Sequence, residues 1–116
     1  MSTELPPQLQ NMVAQLQQLQ QQLQIVVNQR LQLDAGLKEA EMALEELQKT
    51  EDTVVYKTVG GILIKSTKEN MVKELEEKTE TLKIRIKTLE RQEEKLRERL
   101  VELQKKVQSM LSPQAG

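Results

Sequence analysis

TVVYKTVGGILIKS, residues 53–66, interrupts a chain that otherwise reads as helix on both sides. Val54, Val55, Tyr56 and Val59, then Ile62, Leu63 and Ile64, are strand-favouring residues. The Gly60-Gly61 pair between them tolerates the positive φ that a two-residue hairpin turn requires. The stretch therefore predicts two short antiparallel strands. Apolar side chains stand at successive positions, so both faces of the ribbon carry them, whereas a ribbon with one solvated face alternates apolar and polar. A lone two-stranded hairpin is marginal in water and leaves unpaired backbone groups along both edges. The same seven apolar residues are thus the expected oligomerisation element, joining strands supplied by other chains.

Working outward, Pro6-Pro7 marks a helix start, since proline is accepted in a first helical turn and not beyond it. A heptad seam follows through Leu9, Met12, Leu16, Leu19, Leu23, Val26, Arg30, Leu33, Leu37, Ala40, Leu44 and Leu47, with spacings alternating three and four. Gly36 lies inside this run without shifting it. After the hairpin, Ser66-Thr67-Lys68-Glu69 has the form of a capping box with Ser66 as the cap. A second seam then runs through Val72, Leu75, Thr79, Leu82, Ile86, Leu89, Glu93, Leu96, Leu100, Leu103, Val107 and Met110, and Pro113 is expected to stop the helix.

The expected fold is mainly α: a long antiparallel two-helix coiled coil connected by a single β-hairpin that joins a multi-chain β-barrel. One domain spans residues 1–116, with helix 1 at 5–50, the hairpin at 53–66, helix 2 at 67–111 and a tail at 112–116. At 1.5 Å rise per residue each helix would be about 65 Å long, and folding back would bring both chain ends to one far tip. The short connection fixes the register. Leu47 faces Val72, Leu44 faces Leu75, Leu37 faces Leu82, and the pairing continues to Leu9 with Met110. Arg30 and Glu93 then fall in neighbouring layers, placed for a diagonal ion pair, and Ala40 facing Thr79 makes a small layer.

Composition narrows the function. One aromatic residue, Tyr56, and 37% hydrophobic content leave little for a rounded core and favour an elongated helical protein. With 17 Lys or Arg against 18 Asp or Glu, the net charge of -1 gives no general attraction for nucleic acid or membrane. The chain has no Cys and no His, which removes thiol and imidazole chemistry and the commonest zinc ligands; neither metal, cofactor nor catalytic residue is expected. No apolar run reaches the roughly eighteen residues of a membrane span, and a cytoplasmic location is expected. The charge-dense run 90–99 reads as a solvated helix face supported by pairs such as Glu93 with Arg97. Gly60-Gly61 lacks the Lys and hydroxyl of a phosphate loop, and a single aromatic makes no base-stacking platform.

Helix 1 changes character along its length. Leu5 to Gln29 contains no charged residue, and Gln fills most non-seam positions. Val13, Ile25 and Val27, with Val101 and Leu111 on the facing end of helix 2, are apolar residues outside the seam, so the distal end is expected to expose apolar surface.

The hairpin VYKTVGGILIK at 55–65, flanked by two equal heptad helices and followed by LERQEEKL at 89–96, resembles the beta-type subunit of archaeal prefoldin over essentially the whole chain. Alpha-type subunits of that family carry two hairpins; this chain has one. The resemblance implies a hexamer of two alpha-type and four beta-type subunits, built on β-barrels with coiled-coil tentacles. It also implies an ATP-independent chaperone whose tips hold non-native polypeptides and pass them to a group II chaperonin. The expected client-binding residues are Leu5, Leu9, Met12, Val13, Met110 and Leu111. Leu9 and Met110 serve equally well as the last core layer. The alternative is a structural coiled-coil adaptor docking one folded partner.

Overall fold

The structure, a computed structural model, describes residues 5–112. Its elements are α1 (Pro7–Lys49), β1 (Val54–Val59), β2 (Ile62–Thr67) and α2 (Lys68–Leu111). Pro113 and the rest of the expected tail beyond Ser112 lie outside the described residues.

Each helix end has a local cause. Pro7 occupies the first helical position, where its missing N–H costs nothing, and the Gln10 N–H donates to the Pro6 carbonyl at 2.9 Å to close the first turn. The last turn of α1 tightens: the Thr50 N–H donates to the Leu47 carbonyl at 3.2 Å, and the Thr50 hydroxyl donates to the Glu46 carbonyl at 3.1 Å. Lys68, the first residue of α2, donates from Nζ to the Thr50 carbonyl at 2.7 Å, placing a cation at the negative end of α1.

The start of α2 differs from the sequence expectation by one residue. The cap is Thr67, whose hydroxyl accepts the Asn70 N–H at 3.1 Å. Ser66 is instead held in the sheet opposite Val55. Strand pairing, continuing to Val54 opposite Thr67, keeps Ser66 extended and leaves the next hydroxyl to cap the helix.

Gly60 and Gly61 have φ of 57° and 83°, the pair of positive values of a type I′ turn, whose twist matches that of antiparallel strands. The register pairs Val59 with Ile62, Lys57 with Ile64 and Val55 with Ser66. Side-chain alternation then puts Val55, Val59, Ile62 and Ile64 on one face, and Val54, Tyr56 and Leu63 on the other.

The chain divides into two compact units, Met1–Arg30 with Thr88–Gly116, and Leu31–Lys87; each helix contributes to both. In the unit Leu31–Lys87, Ala40, Thr79, Leu82 and Ile86 are buried, and the Thr79 hydroxyl is satisfied by donating to the Glu76 carbonyl. A Cβ placed on Gly36 would stand 3.9 Å from Leu82 Cδ1, so α1 and α2 pack closely at the layer the seam assigns to Leu37 and Leu82. In the other unit Leu9 and Val107 are buried and Arg30 meets Glu93 across the seam. Every expected seam residue is buried or half-buried except Met110. Most are only half-buried because two helices cover a seam from two sides and leave both flanks open.

Candidate binding surfaces

The hairpin is the first surface. Tyr56, Ile62 and Leu63 are 63%, 66% and 70% exposed, and they lie on opposite faces of the ribbon, so neither face is covered. Among the described residues the sheet has two strands, and the outer edge of each is open to a further strand. One device ties this ribbon to the helix that follows it. Lys57 on β1 reaches Glu74 in α2, with Nζ 3.2 Å from Oε1. Lys57 shares its face with Val55, Val59, Ile62, Ile64 and Ser66, and of these Val55 and Ser66 are half-buried. Val59, Ile62 and Ile64 remain exposed toward the turn.

The second surface lies in the unit that carries both helix ends. Leu5, Met110 and Leu111 are exposed there, Met12 and Val13 are half-buried, and Leu9 is 3% exposed. Leu9 is thus a core residue of the last layer, excluded from an exposed client surface because the helices close over it; Met110, its expected layer partner, is not closed over to the same degree. Among the off-seam apolar residues, Ile25, Val101 and Leu111 are exposed while Val13 and Val27 are half-buried.

In the unit that carries both helix ends the polar seam layer is well formed. Arg30 Nε donates to Glu93 Oε1 at 2.7 Å, and Arg97 donates to Glu93 Oε2 at 3.3 Å. The hydrogen bond from Arg30 is the main reason the Glu93 carboxyl is held below the usual carboxylate range; partial burial opposes it, and Arg97 adds to the lowering. On α2 two groups of charges near this layer line different grooves. Glu90, Glu94 and Glu98 line a groove with Arg30 and Arg97, whereas Lys95 and Arg99 line a different one with Ile25, Val26 and Leu96. Among the described residues no three His, Cys, Asp or Glu converge as a metal site, and no helix is long and apolar enough to cross a membrane.

Comparison with known proteins decides the family. Residues 10–114 match the family model described as prefoldin subunit. The chain belongs to the prefoldin family. It is 68% identical to the prefoldin subunit beta of Archaeoglobus fulgidus, over 97% of this chain and 98% of that one. With the prefoldin subunit beta of Pyrococcus furiosus it shares 50% identity over 94% of each. The crystal structure of the prefoldin beta subunit from Thermococcus strain KS-1 superposes with a TM-score of 0.86 at 50% identity, covering 97% of this chain and 99% of that one. Two long helices joined by one antiparallel hairpin are therefore the arrangement of a prefoldin beta subunit. Prefoldins are a family of chaperones rather than of enzymes.

Within this prefoldin chain, sequence reasoning located the hairpin residues and the polar layer but passed over three features. The Lys57–Glu74 clasp joins residues seventeen positions apart, one on β1 and the other on α2, and only the folded hairpin brings them together. The Lys68 contact to the end of α1 needs the hairpin to be closed first. The separation of Lys95 and Arg99 from Glu94 and Glu98 was legible in principle from their seam positions, once the register was set.

Proposed function

We propose that this chain is the beta-type subunit of an ATP-independent holding chaperone, in which the ends of the helices grip non-native polypeptides and deliver them to a group II chaperonin in the cytoplasm. Its partner is an alpha-type prefoldin subunit, in a hexamer of two alpha and four beta subunits. The observation that carries the holding role is the exposure of Leu5, Met110 and Leu111 beside a half of α1 that has no charge from Leu5 to Gln29. Unfolded chains of any composition present scattered apolar groups, and a surface that is apolar, flexible and without a strong field of one sign accepts them indiscriminately. Assembly supports the same reading: the hairpin exposes apolar groups on both faces and two open edges, which strands of further subunits would cover. Several such arms on one hub turn weak contacts into avidity.

The test replaces Leu5, Met110 and Leu111 by Gln, leaving the buried Leu9 in place. Aggregation of an unrelated denatured protein is followed by light scattering without nucleotide. Suppression should fall sharply while the assembled size is unchanged. Undiminished suppression by the triple variant removes the holding surface from these residues, and selective capture of one folded partner would favour an adaptor instead.

A further inference from the structure

The groove lined by Lys95 and Arg99 is a feature that helix-end holding does not use. It has a volume of about 350 Å³, and it lies in the unit containing Met1–Arg30 and Thr88–Gly116. Val26 and Leu96 are half-buried seam residues and form its floor; Ile25 stands at its rim 57% exposed, an apolar side chain at a position where the heptad calls for none. Lys95 and Arg99 are exposed, four residues apart on one face of α2, and neither has a hydrogen-bond or ion-pair partner among the described residues. Gln22 closes the groove on the α1 side and also lines an adjoining groove with Gln15, Gln18 and Leu19. The surface thus offers an apolar pocket, two free cations and side-chain amides able to donate to and accept from an extended backbone.

The charges explain what this surface selects. In this unit α1 carries no charge before Arg30, so no carboxylate on α1 faces the two cations. Of the carboxylates of α2 nearest in sequence, Glu93, Glu94 and Glu98 line the other groove with Glu90, and Glu102, one turn beyond Arg99, lines neither. A ligand with an acidic group next to an apolar one would satisfy both halves of the Lys95/Arg99 groove, while a basic one would be repelled. Resting on the holding role proposed above, we infer that this groove is a second polypeptide subsite, taking a non-native segment in which an apolar side chain stands beside carboxylates. The helix ends hold without preference, and this flank adds a preference in charge.

Two labelled, unstructured peptides test it by fluorescence anisotropy with the full-length assembled chain: one with leucines flanked by Glu, the other with the same leucines flanked by Lys. The Glu-flanked peptide should bind more tightly. Lys95→Gln with Arg99→Gln, both helix-compatible, should weaken it by about tenfold, the effect of losing two partly solvated charge contacts. Lys95→Glu with Arg99→Glu should invert the preference, and Ile25→Gln should weaken both peptides. The Leu5, Met110 and Leu111 triple variant should weaken both peptides alike and keep the preference for the Glu-flanked one. Equal affinity of the parent for both peptides, no binding of either, or affinities unmoved by the glutamine pair and by Ile25→Gln each overturn the subsite. Aggregation suppression separates this from the holding role. A failed peptide preference with suppression still lost in the triple variant removes the groove alone, whereas intact suppression in the triple variant removes helix-end holding whatever the peptides do.

Discussion

Removing Arg30 and Glu93 singly and together measures how strongly the polar layer holds the two helices in register. The pair is made at 2.7 Å with side chains 21% and 16% exposed, between the exposed Lys49–Glu45 contact at 3.6 Å and a fully enclosed ion pair. Exposed pairs contribute about 0–1 kcal/mol, and breaking enclosed ones costs about 3–5 kcal/mol. The intermediate burial places the coupling at about 1–2 kcal/mol. Arg30→Met and Glu93→Gln keep side-chain length and helix propensity. Arg97 still donates to Glu93 when Arg30 is lost, and Arg30 makes further interactions, so neither single variant isolates the pair; the double-mutant cycle cancels those contributions. Urea unfolding at fixed protein concentration, which removes the effect of association, supplies the four stabilities. The pH dependence is a second check. The carboxyl of Glu93 is held below its ordinary value in the folded chain, so the unfolded chain binds its proton more readily. The stabilisation is full above the unfolded value of about 4.3 and is lost as pH falls through the lower folded-state value. A coupling below about 0.3 kcal/mol at neutral pH, within the error of additivity, or one that persists unchanged in acid, would refute the electrostatic account of this layer.

Three further outcomes are expected. Gly36→Ala should raise stability by about 1 kcal/mol, read as a higher Tm, because the added methyl would meet Leu82 at ordinary van der Waals distance and the helix gains propensity. Gly61→Ala should cost about 1–2 kcal/mol, since φ of 83° is strained for any L side chain although nothing within 4 Å obstructs the methyl; Gly60→Asn, at φ of 57°, should cost much less, and circular dichroism melts rank the two. Ile62→Lys with Ile64→Lys places two cations on one exposed hairpin face, and sedimentation should show monomers with helicity retained.

Much of the architecture is legible because two periods meet in one sequence. Apolar residues spaced three and four apart run up to Leu47 and resume at Val72, and the run of strand formers around Gly60-Gly61 fits neither spacing. Arg30 and Glu93 were placed in adjacent layers by counting alone, and the structure joins them. The one-residue error at the cap of α2 has a local origin. Ser66 and Thr67 are both capable caps, and only strand pairing through Val54 and Thr67 decides between them. Degree of burial was harder to read. Leu9 and Met110 share a proposed layer, yet one is 3% and the other 42% exposed, and Met12 and Val13 fall between. A heptad letter says which way a side chain points; how completely neighbours cover it near a helix end depends on side-chain packing that spacing does not encode.

The distribution of charge between the helices has a consequence for how such a surface is tuned. In the unit bearing the helix ends, α1 contributes apolar groups and amides while nearly all formal charge sits on α2, from Glu90 to Lys106. Substitutions on α1 there alter contact area with little effect on the field, and substitutions on α2 alter the field with little effect on the seam. One flank of α2 presents carboxylates and the other Lys95 and Arg99, so a net charge of -1 for the whole chain conceals two local fields of opposite sign. Exchanging residues between the flanks would leave composition, net charge and coiled-coil pattern as they are. A variant with Glu94 and Lys95 interchanged therefore tests whether client preference follows local field or bulk charge. Local control predicts weaker binding of the Glu-flanked peptide with unaltered helix content, and bulk control predicts no change.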